Sequence, residues 1–323
     1  MKHVVCREFG PPDRLVVEEA PDPLARPGEV VVAVRAAGVT FVDALLVQGH
    51  YQIKPPLPFT PGGEVAGVIV AVGEGVNQSR LQERVLVSCG IGGFADRLAV
   101  PTAMARRLPV TLTFGQGAAL MQSYSTALFA LTRRAAVERG DWVLVLGAGG
   151  GVGLATVDVA RHLGARVIAA ASSESKLAAA RAVGAQACIR YDQEDLKARA
   201  REISGGGVHM VVDPVGGAYA EPALRALRPF GHYLIVGFAT GEIPALKANL
   251  VLLQNRSVVG VDWGAWSFQH PQENAALVGE VLALAACGTI QPGEPTSYPL
   301  DRAGDALQAL VDRKVAGKVV LVP

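Results

Sequence analysis

The segment Gly147-Ala148-Gly149-Gly150-Gly151-Val152-Gly153 constrains the fold more than any other part of the chain. It separates a continuous apolar run, Trp142-Val143-Leu144-Val145-Leu146, from a helical stretch running from Val152 to Leu163 and stopped by Gly164. A strand apolar at every position is buried on both faces, as in a parallel sheet covered by helices. Aligned on its last glycine, the turn reads Ala148-x-Gly150-x-x-Gly153, a dinucleotide fingerprint with Ala in place of the first Gly. Without a Cβ at such a turn a pyrophosphate can approach the backbone. The helix beginning near Val152, with Gly151 and Gly153 beside it, aims free N–H groups and a positive dipole end at the phosphates. A strand before and a helix after distinguish this motif from a tight turn that holds nothing.

The alternation continues. Arg166–Ala171 reads as the next strand and Ser175 to Val183 as the next helix, closed by Gly184. Met210–Asp213, His232–Val236 and Ser257–Val261 follow as strands, with a helix from Tyr219 to Leu227. This pattern predicts an α/β, doubly wound parallel sheet. Upstream, Val4 to about Pro109 has another texture: short extended runs such as Val30–Val34, Val65–Val70 and Arg84–Val87, broken by Gly and Pro, with one short helix at Phe41–Val47. That texture predicts a compact, barrel-like β unit. After Trp266 come helices at Asn274–Ala286 and Asp301–Val311 and a strand at Lys318–Val322, too little for a third domain and so expected to return to the first. With 323 residues, two domains are expected: 1–115 with 266–323, and 116–265.

Several classes fall away. Thirty Lys+Arg against 29 Asp+Glu leave a net charge of +1, so no overall field draws the chain to nucleic acid, and Arg106-Arg107 and Arg133-Arg134 are too short to be basic patches. No apolar run approaches the ~18 residues of a membrane span. The start carries no signal-like segment, and Cys6, Cys89, Cys188 and Cys287 form no Cys-x-x-Cys pair, so a cytoplasmic protein with reduced thiols is expected. The six histidines are scattered, without a His-x-x-x-His pair or a nucleophile elbow.

The end of the second strand bears on the choice of dinucleotide. NAD sites usually place an acid there for the ribose 2′-OH. Here the strand ends Ala170-Ala171-Ser172-Ser173. Small hydroxyls such as that of Ser172 accept a 2′-phosphate, and Lys176, one turn on, can supply positive charge if Glu174 points to solvent. NADPH is therefore expected over NADH; the alternative for Lys176 is a solvated helix face.

These residues resemble the medium-chain dehydrogenase/reductase superfamily and, within it, the zinc-free quinone oxidoreductases related to zeta-crystallin. The resemblance covers nearly the whole chain. It is carried by Gly38-Val39-Thr40-Phe41-Val42-Asp43, Gly49-His50-Tyr51, the block Leu57–Gly67 with its Pro-Gly-x-Glu-x-x-Gly core, the glycine turn, and the closing Gly317-Lys318-Val319-Val320-Leu321. It implies a GroES-like β-barrel catalytic domain, completed by the C-terminal tail, with a Rossmann domain inserted. Zinc-dependent members carry Cys at the Thr40 position and His at the Gly63 position, so two metal ligands are replaced, although Glu64 remains, and no other ligand cluster is visible.

Without a Lewis acid, hydride transfer needs an acceptor already activated, which points to quinones and other α,β-unsaturated carbonyl compounds. Tyr51 resembles the acid tyrosine of the superfamily's enoyl thioester reductases; the alternative is a pocket-lining aromatic. Asp43 matches the family's acidic residue, as a nicotinamide-side anchor or a buried structural group, and Thr40 departs from the common Asn. Further contacts implied by resemblance are Thr126 near the nicotinamide, Tyr191 beside the 2′-phosphate, Gly237 and Phe238 after the fifth strand, and Val261, Asp262 and Trp263 after the sixth, all at carboxyl ends of strands. Tyr124, Trp263 and Trp266 are candidate walls of an aromatic pocket. The family also implies a homodimer joined through the edge strand Arg256–Val261. Two other functions stay open: enoyl thioester reduction with Tyr51 as acid, and NADPH binding without catalysis.

Overall fold

The computed structural model describes all 323 residues and divides them into two compact units, Met1–Gln122 with Pro292–Pro323, and Ser123–Gln291. In the first unit the long strand Glu29–Val39 organises the sheet. One edge pairs antiparallel with Glu64–Val72; the other pairs with Arg97–Pro101 through Glu29–Ala33 and with the closing strand Val319–Val322 through Ala37–Val39. Glu64–Val72 leads on to Arg84–Ser88 and then Ala105–Arg107. The tail thus returns to the first unit, where Val319, Val320 and Leu321 are buried with Val30, Val32, Val65 and Ile69.

The second unit is a six-stranded, all-parallel sheet. In chain order its strands are Trp142–Leu146, Arg166–Ala171, Ala187–Arg190, Val208–Asp213, Leu227–Ile235 and Ser257–Gly260, and they lie side by side as third, second, first, fourth, fifth, sixth. That is the dinucleotide-binding order, and its switch point lies between the first and fourth strands. Val143, Leu144, Val145 and Leu146 are each fully buried, which is why the first strand reads as unbroken apolar sequence.

Sequence and structure differ in three places. The second boundary falls at 291–292 rather than 265–266. The helix Pro271–Ala286 buries Leu277, Val278, Val281 and Ala285, and the turn after it is tied to the helix Gly151–His162: Arg161 donates to the Thr289 carbonyl at 2.8 Å and the Gln291 N–H to Asp158 at 2.7 Å. The first boundary moves less, from 115–116 to 122–123. The helices Phe114–Ala118, Met121–Phe129, Leu196–Ser204, Ala248–Leu252 and Trp263–Gln269 are additional; Leu196–Ser204 buries only Leu196 and Ala200, a stripe too thin to register among its charges. No helix is long and apolar enough to cross a membrane.

Candidate functional site

The glycine turn closes on itself for steric reasons. A Cβ on Gly153 would lie 2.2 Å from the Gly147 carbonyl oxygen and 2.7 Å from the Ala148 Cα, so only glycine lets the helix Gly151–His162 start this close to the strand end. Ala148 is fully buried beneath it. Gly150 is a different case. Its φ of −87° suits any residue, and a Cβ would meet only the Gly147 oxygen, at 3.4 Å. Nothing within the chain requires glycine there, and no side chain caps the helix that begins at Gly151 and Val152. An open backbone cradle with an uncapped, positively polarised first turn fits a pyrophosphate.

The second strand, whose Ala170 carbonyl accepts the Ala148 N–H at 3.0 Å, is followed by Ser172, which is half-buried. Ser173 caps the next helix, Glu174–Ala182, by accepting the Lys176 N–H at 3.4 Å. Glu174 is exposed and paired with Arg181, so its carboxylate is drawn along its own helix. Lys176 is half-buried, and its stem covers Gly149: a Cβ on that glycine would sit 2.4 Å from the Lys176 Cβ. Tyr191 follows the third strand and packs on Tyr219 with ring centroids 4.2 Å apart. The geometry therefore groups Ser172, Lys176 and the glycine turn on one side of the switch point.

The other expected contacts lie on several elements. Thr126 lies inside the helix Met121–Phe129, not at a strand end, and is 9% exposed. Gly237 and Phe238 do follow the fifth strand, where the Gly237 N–H reaches the Asp213 carbonyl at 3.3 Å. Val261 extends the sixth strand by bonding to the Ile235 carbonyl. Asp262 caps the helix Trp263–Gln269, and the Trp263 indole N–H donates to Asn274 at 3.0 Å. Tyr124 is buried with its hydroxyl on Asp158, and Trp266 packs between Phe129 and His270. Each ring's polar or flat face has an intramolecular partner, a commoner use of a large aromatic than lining a void.

In the first unit, Thr40 and Asp43 form a closed capping box on the helix Phe41–Val47. The Thr40 N–H and hydroxyl both donate to Asp43 Oδ2, at 2.8 and 2.7 Å, and the Gly62 N–H donates to Oδ1 at 3.1 Å. Asp43 is thus a buried structural anchor joining the helix to the Pro61-Gly62-Gly63 turn. Burial pushes its pKa up, against the pull of those hydrogen bonds. Glu64 Oε1 accepts the Gln122 N–H at 2.5 Å, while Oε2 lies 3.8 Å from Lys318 Nζ; burial raises this carboxyl too, opposed mainly by the lysine. The Cys89 thiol, desolvated and near Asp43, is pushed up to about 12. Tyr51 packs against the edge of the core of this unit. No group of three His, Cys, Asp or Glu side chains converges as a metal-ligand set. The residues present do not fit zinc: the Thr40 hydroxyl is engaged by Asp43 and Gly63 offers no donor side chain.

Two buried acids of the second unit escaped sequence reasoning. Asp158 accepts from the Tyr124 hydroxyl, the Gln291 N–H and Arg161. Asp213 accepts the Val215 and Gly216 N–H groups at 2.7 and 2.9 Å and the Tyr233 hydroxyl, and so orders the loop at the carboxyl end of the fourth strand. An acid closing the apolar run Met210–Val212 was the available signal for Asp213; Asp158, inside an otherwise small and apolar helix, was the signal for a buried partner.

Comparison with known proteins places these features in a lineage. Residues 26–110 match the alcohol dehydrogenase GroES-like domain, and residues 151–280 match the zinc-binding dehydrogenase family. A quinone oxidoreductase-like protein 2 homolog of Nematostella vectensis is 39% identical, over 98% of this chain and 88% of that one. The crystal structure of a probable oxidoreductase from Mycobacterium abscessus superimposes with a TM-score of 0.88 at 36% identity, covering 100% and 99% of the two chains. That of Escherichia coli quinone oxidoreductase complexed with NADPH gives 0.90 at 27%, covering both chains fully. With its GroES-like unit, its parallel dinucleotide-binding sheet and these relatives, the chain belongs to the quinone oxidoreductases of the medium-chain dehydrogenase/reductase superfamily.

Proposed function

We propose that this protein is a zinc-independent reductase that uses NADPH to reduce quinones or other α,β-unsaturated carbonyl compounds. The observation that carries the reading is the pairing of an open glycine cradle with Lys176 and Ser172 in place of a ribose-binding acid. The E. coli relative complexed with NADPH supports the same choice. When bound, the reduced nicotinamide supplies a hydride. The helix start at Gly150–Gly153 holds the pyrophosphate, Ser172 and Lys176 hold the 2′-phosphate beside Tyr191, and Thr126, Gly237, Phe238, Val261, Asp262 and Trp263 are carried over by resemblance as further contacts. A conjugated acceptor spreads the arriving charge onto its own carbonyl oxygen, so a chain whose zinc-ligand positions hold Thr40 and Gly63 needs no metal for it. Thr40 and Asp43 serve by holding the helix that leads to Tyr51. Titration of the purified protein with NADPH and NADH tests the reading, followed by quinones, enals and enoyl thioesters with metal analysis alongside. Brisk oxidation of simple alcohols that a chelator abolishes would overturn it.

Tyr51→Phe separates the two carbonyl classes. Quinone turnover is expected to stay within about threefold, because the product oxygens can take protons from water, whereas any enoyl thioester turnover that uses the phenol as acid falls by about 10²-fold. Steady-state rates on both acceptors read the difference, and an equal loss on both would reject it.

We also infer a homodimer. Ser257–Gly260 is an edge strand paired on one side only, Val258 is 38% exposed, and Phe230, Leu252 and Leu253 are 69–74% exposed. Such an unpaired apolar edge is protected by pairing with a second copy. Light scattering is expected to report twice the 33.6 kDa of one chain, and a clean monomer would refute this.

A further inference from the structure

The loop that leaves the fourth strand, Pro214-Val215-Gly216-Gly217, adjoins the glycine turn. An ideal Cβ on Gly147 would lie 2.8 Å from Val215 Cγ2 and 3.7 Å from Pro214 Cγ, so the Val215 side chain packs against the first residue of that turn. On its other side the loop meets the segment after the fifth strand. A Cβ on Gly216 would lie 3.0 Å from Phe238 Cδ1, and one on Gly217 2.8 Å from Thr240 Oγ1. The first and fourth strands flank the switch point, and open α/β sheets bind their ligands in the crevice outside the carboxyl ends there. The glycine turn borders that crevice on one side and residues 214–217 border it on the other.

One carboxylate sets the shape of this loop. Asp213, the last residue of the fourth strand, is 2% exposed. Its Oδ1 accepts the Val215 N–H at 2.7 Å and the Gly216 N–H at 2.9 Å, while its Oδ2 accepts the hydroxyl of Tyr233, fully buried on the fifth strand. The two oxygens therefore have separate tasks: Oδ1 holds the loop, and Oδ2 holds the sheet. The loop carbonyls are engaged too. Pro214 accepts the Ala239 N–H at 3.1 Å, and Val215 accepts both the N–H and the hydroxyl of Thr240 at 3.0 Å. Gly216 and Gly217 stand at φ +69° and +61°, a region glycine shares with many others when nothing restrains it. Without Oδ1 the bend that seats Val215 against Gly147 loses both of its N–H restraints.

We propose that Asp213 is a positioning residue for the dinucleotide site: by holding the Val215 and Gly216 N–H groups it fixes Val215 on the glycine turn and keeps the crevice open to the same width before and after binding. The inference rests on the reading of the chain as a nicotinamide-dinucleotide enzyme and adds to it a buried group that acts only through the loop. A site shaped in advance binds more tightly because no loop has to be ordered when the ligand arrives. Val215 meets the start of the turn and none of the residues assigned to the 2′-phosphate, so the effect falls on NADPH and NADH alike.

The test is a fluorescence titration of Asp213→Ala, Asp213→Asn and Tyr233→Phe with NADPH and NADH, alongside urea unfolding and amide hydrogen exchange over residues 215–217. Asp213→Ala is expected to weaken both dinucleotides by about 10-fold and to speed exchange at Val215 and Gly216. Tyr233→Phe is expected to lower the urea midpoint, since a buried oxygen loses its donor, yet to leave both affinities within about threefold, because Oδ1 still holds the loop. Asp213→Asn keeps an amide oxygen for the two N–H groups and is expected to bind within about threefold of the wild type. A purely structural role makes affinity follow stability across the three variants; that result, or wild-type affinity in Asp213→Ala, overturns the inference. Should Asp213→Ala fail to fold, Val215→Ala replaces it: the Asp213 bonds stay, the atom facing Gly147 goes, and both dinucleotides are expected to weaken by about fivefold. Unchanged affinity there overturns the inference. A wild type that binds neither dinucleotide overturns the enzyme reading and this inference together, whereas wild-type binding that Asp213→Ala leaves intact overturns this inference alone.

Discussion

Replacing Asp158 with Ala is expected to destabilise the nucleotide-binding unit by about 3–5 kcal/mol, the range for breaking a buried charged network by deleting one partner. Asp158 is 1% exposed and accepts three donors: the Tyr124 hydroxyl at 3.0 Å, the Gln291 N–H at 2.7 Å and the Arg161 guanidinium at 2.8 Å. Deletion leaves the buried Tyr124 phenol without its acceptor. It also removes one of the two bonds that tie the turn after Pro271–Ala286 to the helix Gly151–His162, the Arg161–Thr289 bond remaining. Asp158→Asn retains an acceptor and should lose less, while Tyr124→Phe removes one hydrogen bond and should cost about 1 kcal/mol. Urea unfolding followed at constant slope measures all three. A loss below about 1 kcal/mol for Asp158→Ala would show the network to be dispensable.

Lys176→Ala is expected to raise the Kd for NADPH by about 10–100-fold, since a charge-assisted contact to phosphate is worth about 1.5–3 kcal/mol. The Kd for NADH should move by less than twofold, because a ribose 2′-OH offers the ammonium no charge. The effect has a second signature: raising salt should weaken wild-type NADPH binding more steeply than that of the variant, in which one screened interaction is gone. Titration at two ionic strengths reads both. Equal losses for the two dinucleotides would mean that the lysine supports the turn rather than the 2′-phosphate.

Much of the fold was legible because it is written in local terms. The strand Trp142–Leu146, the helix Phe41–Val47 and the strand Arg166–Ala171 have in the structure the limits that the sequence predicts. A buried parallel strand must be apolar throughout, and an end is marked where a capping residue or glycine interrupts the pattern. The helix Leu196–Ser204 was not legible, although Asp195 caps it and Gly205 ends it in the left-handed conformation, because its apolar face is only two residues wide. The candidate site divides in the same way. The glycine turn stands between a strand and a helix, as its spacing predicts. The partners of Tyr124, Trp263 and Trp266 were not readable, since a ring's partner is chosen by whatever packs against it.

What the chain order settled alone is the alternation of elements and the glycine turn between the first strand and its helix, both properties of neighbours within a few residues. The folded chain decided the rest. It closed Thr40 and Asp43 onto the Gly62 N–H, set Glu64 against Lys318 from the opposite end of the sequence, and buried Asp158 among three donors. It also seated Lys176 on Gly149. These pairings rest on which groups lose water together, and that depends on the packing of distant segments rather than on any stretch of sequence read by itself.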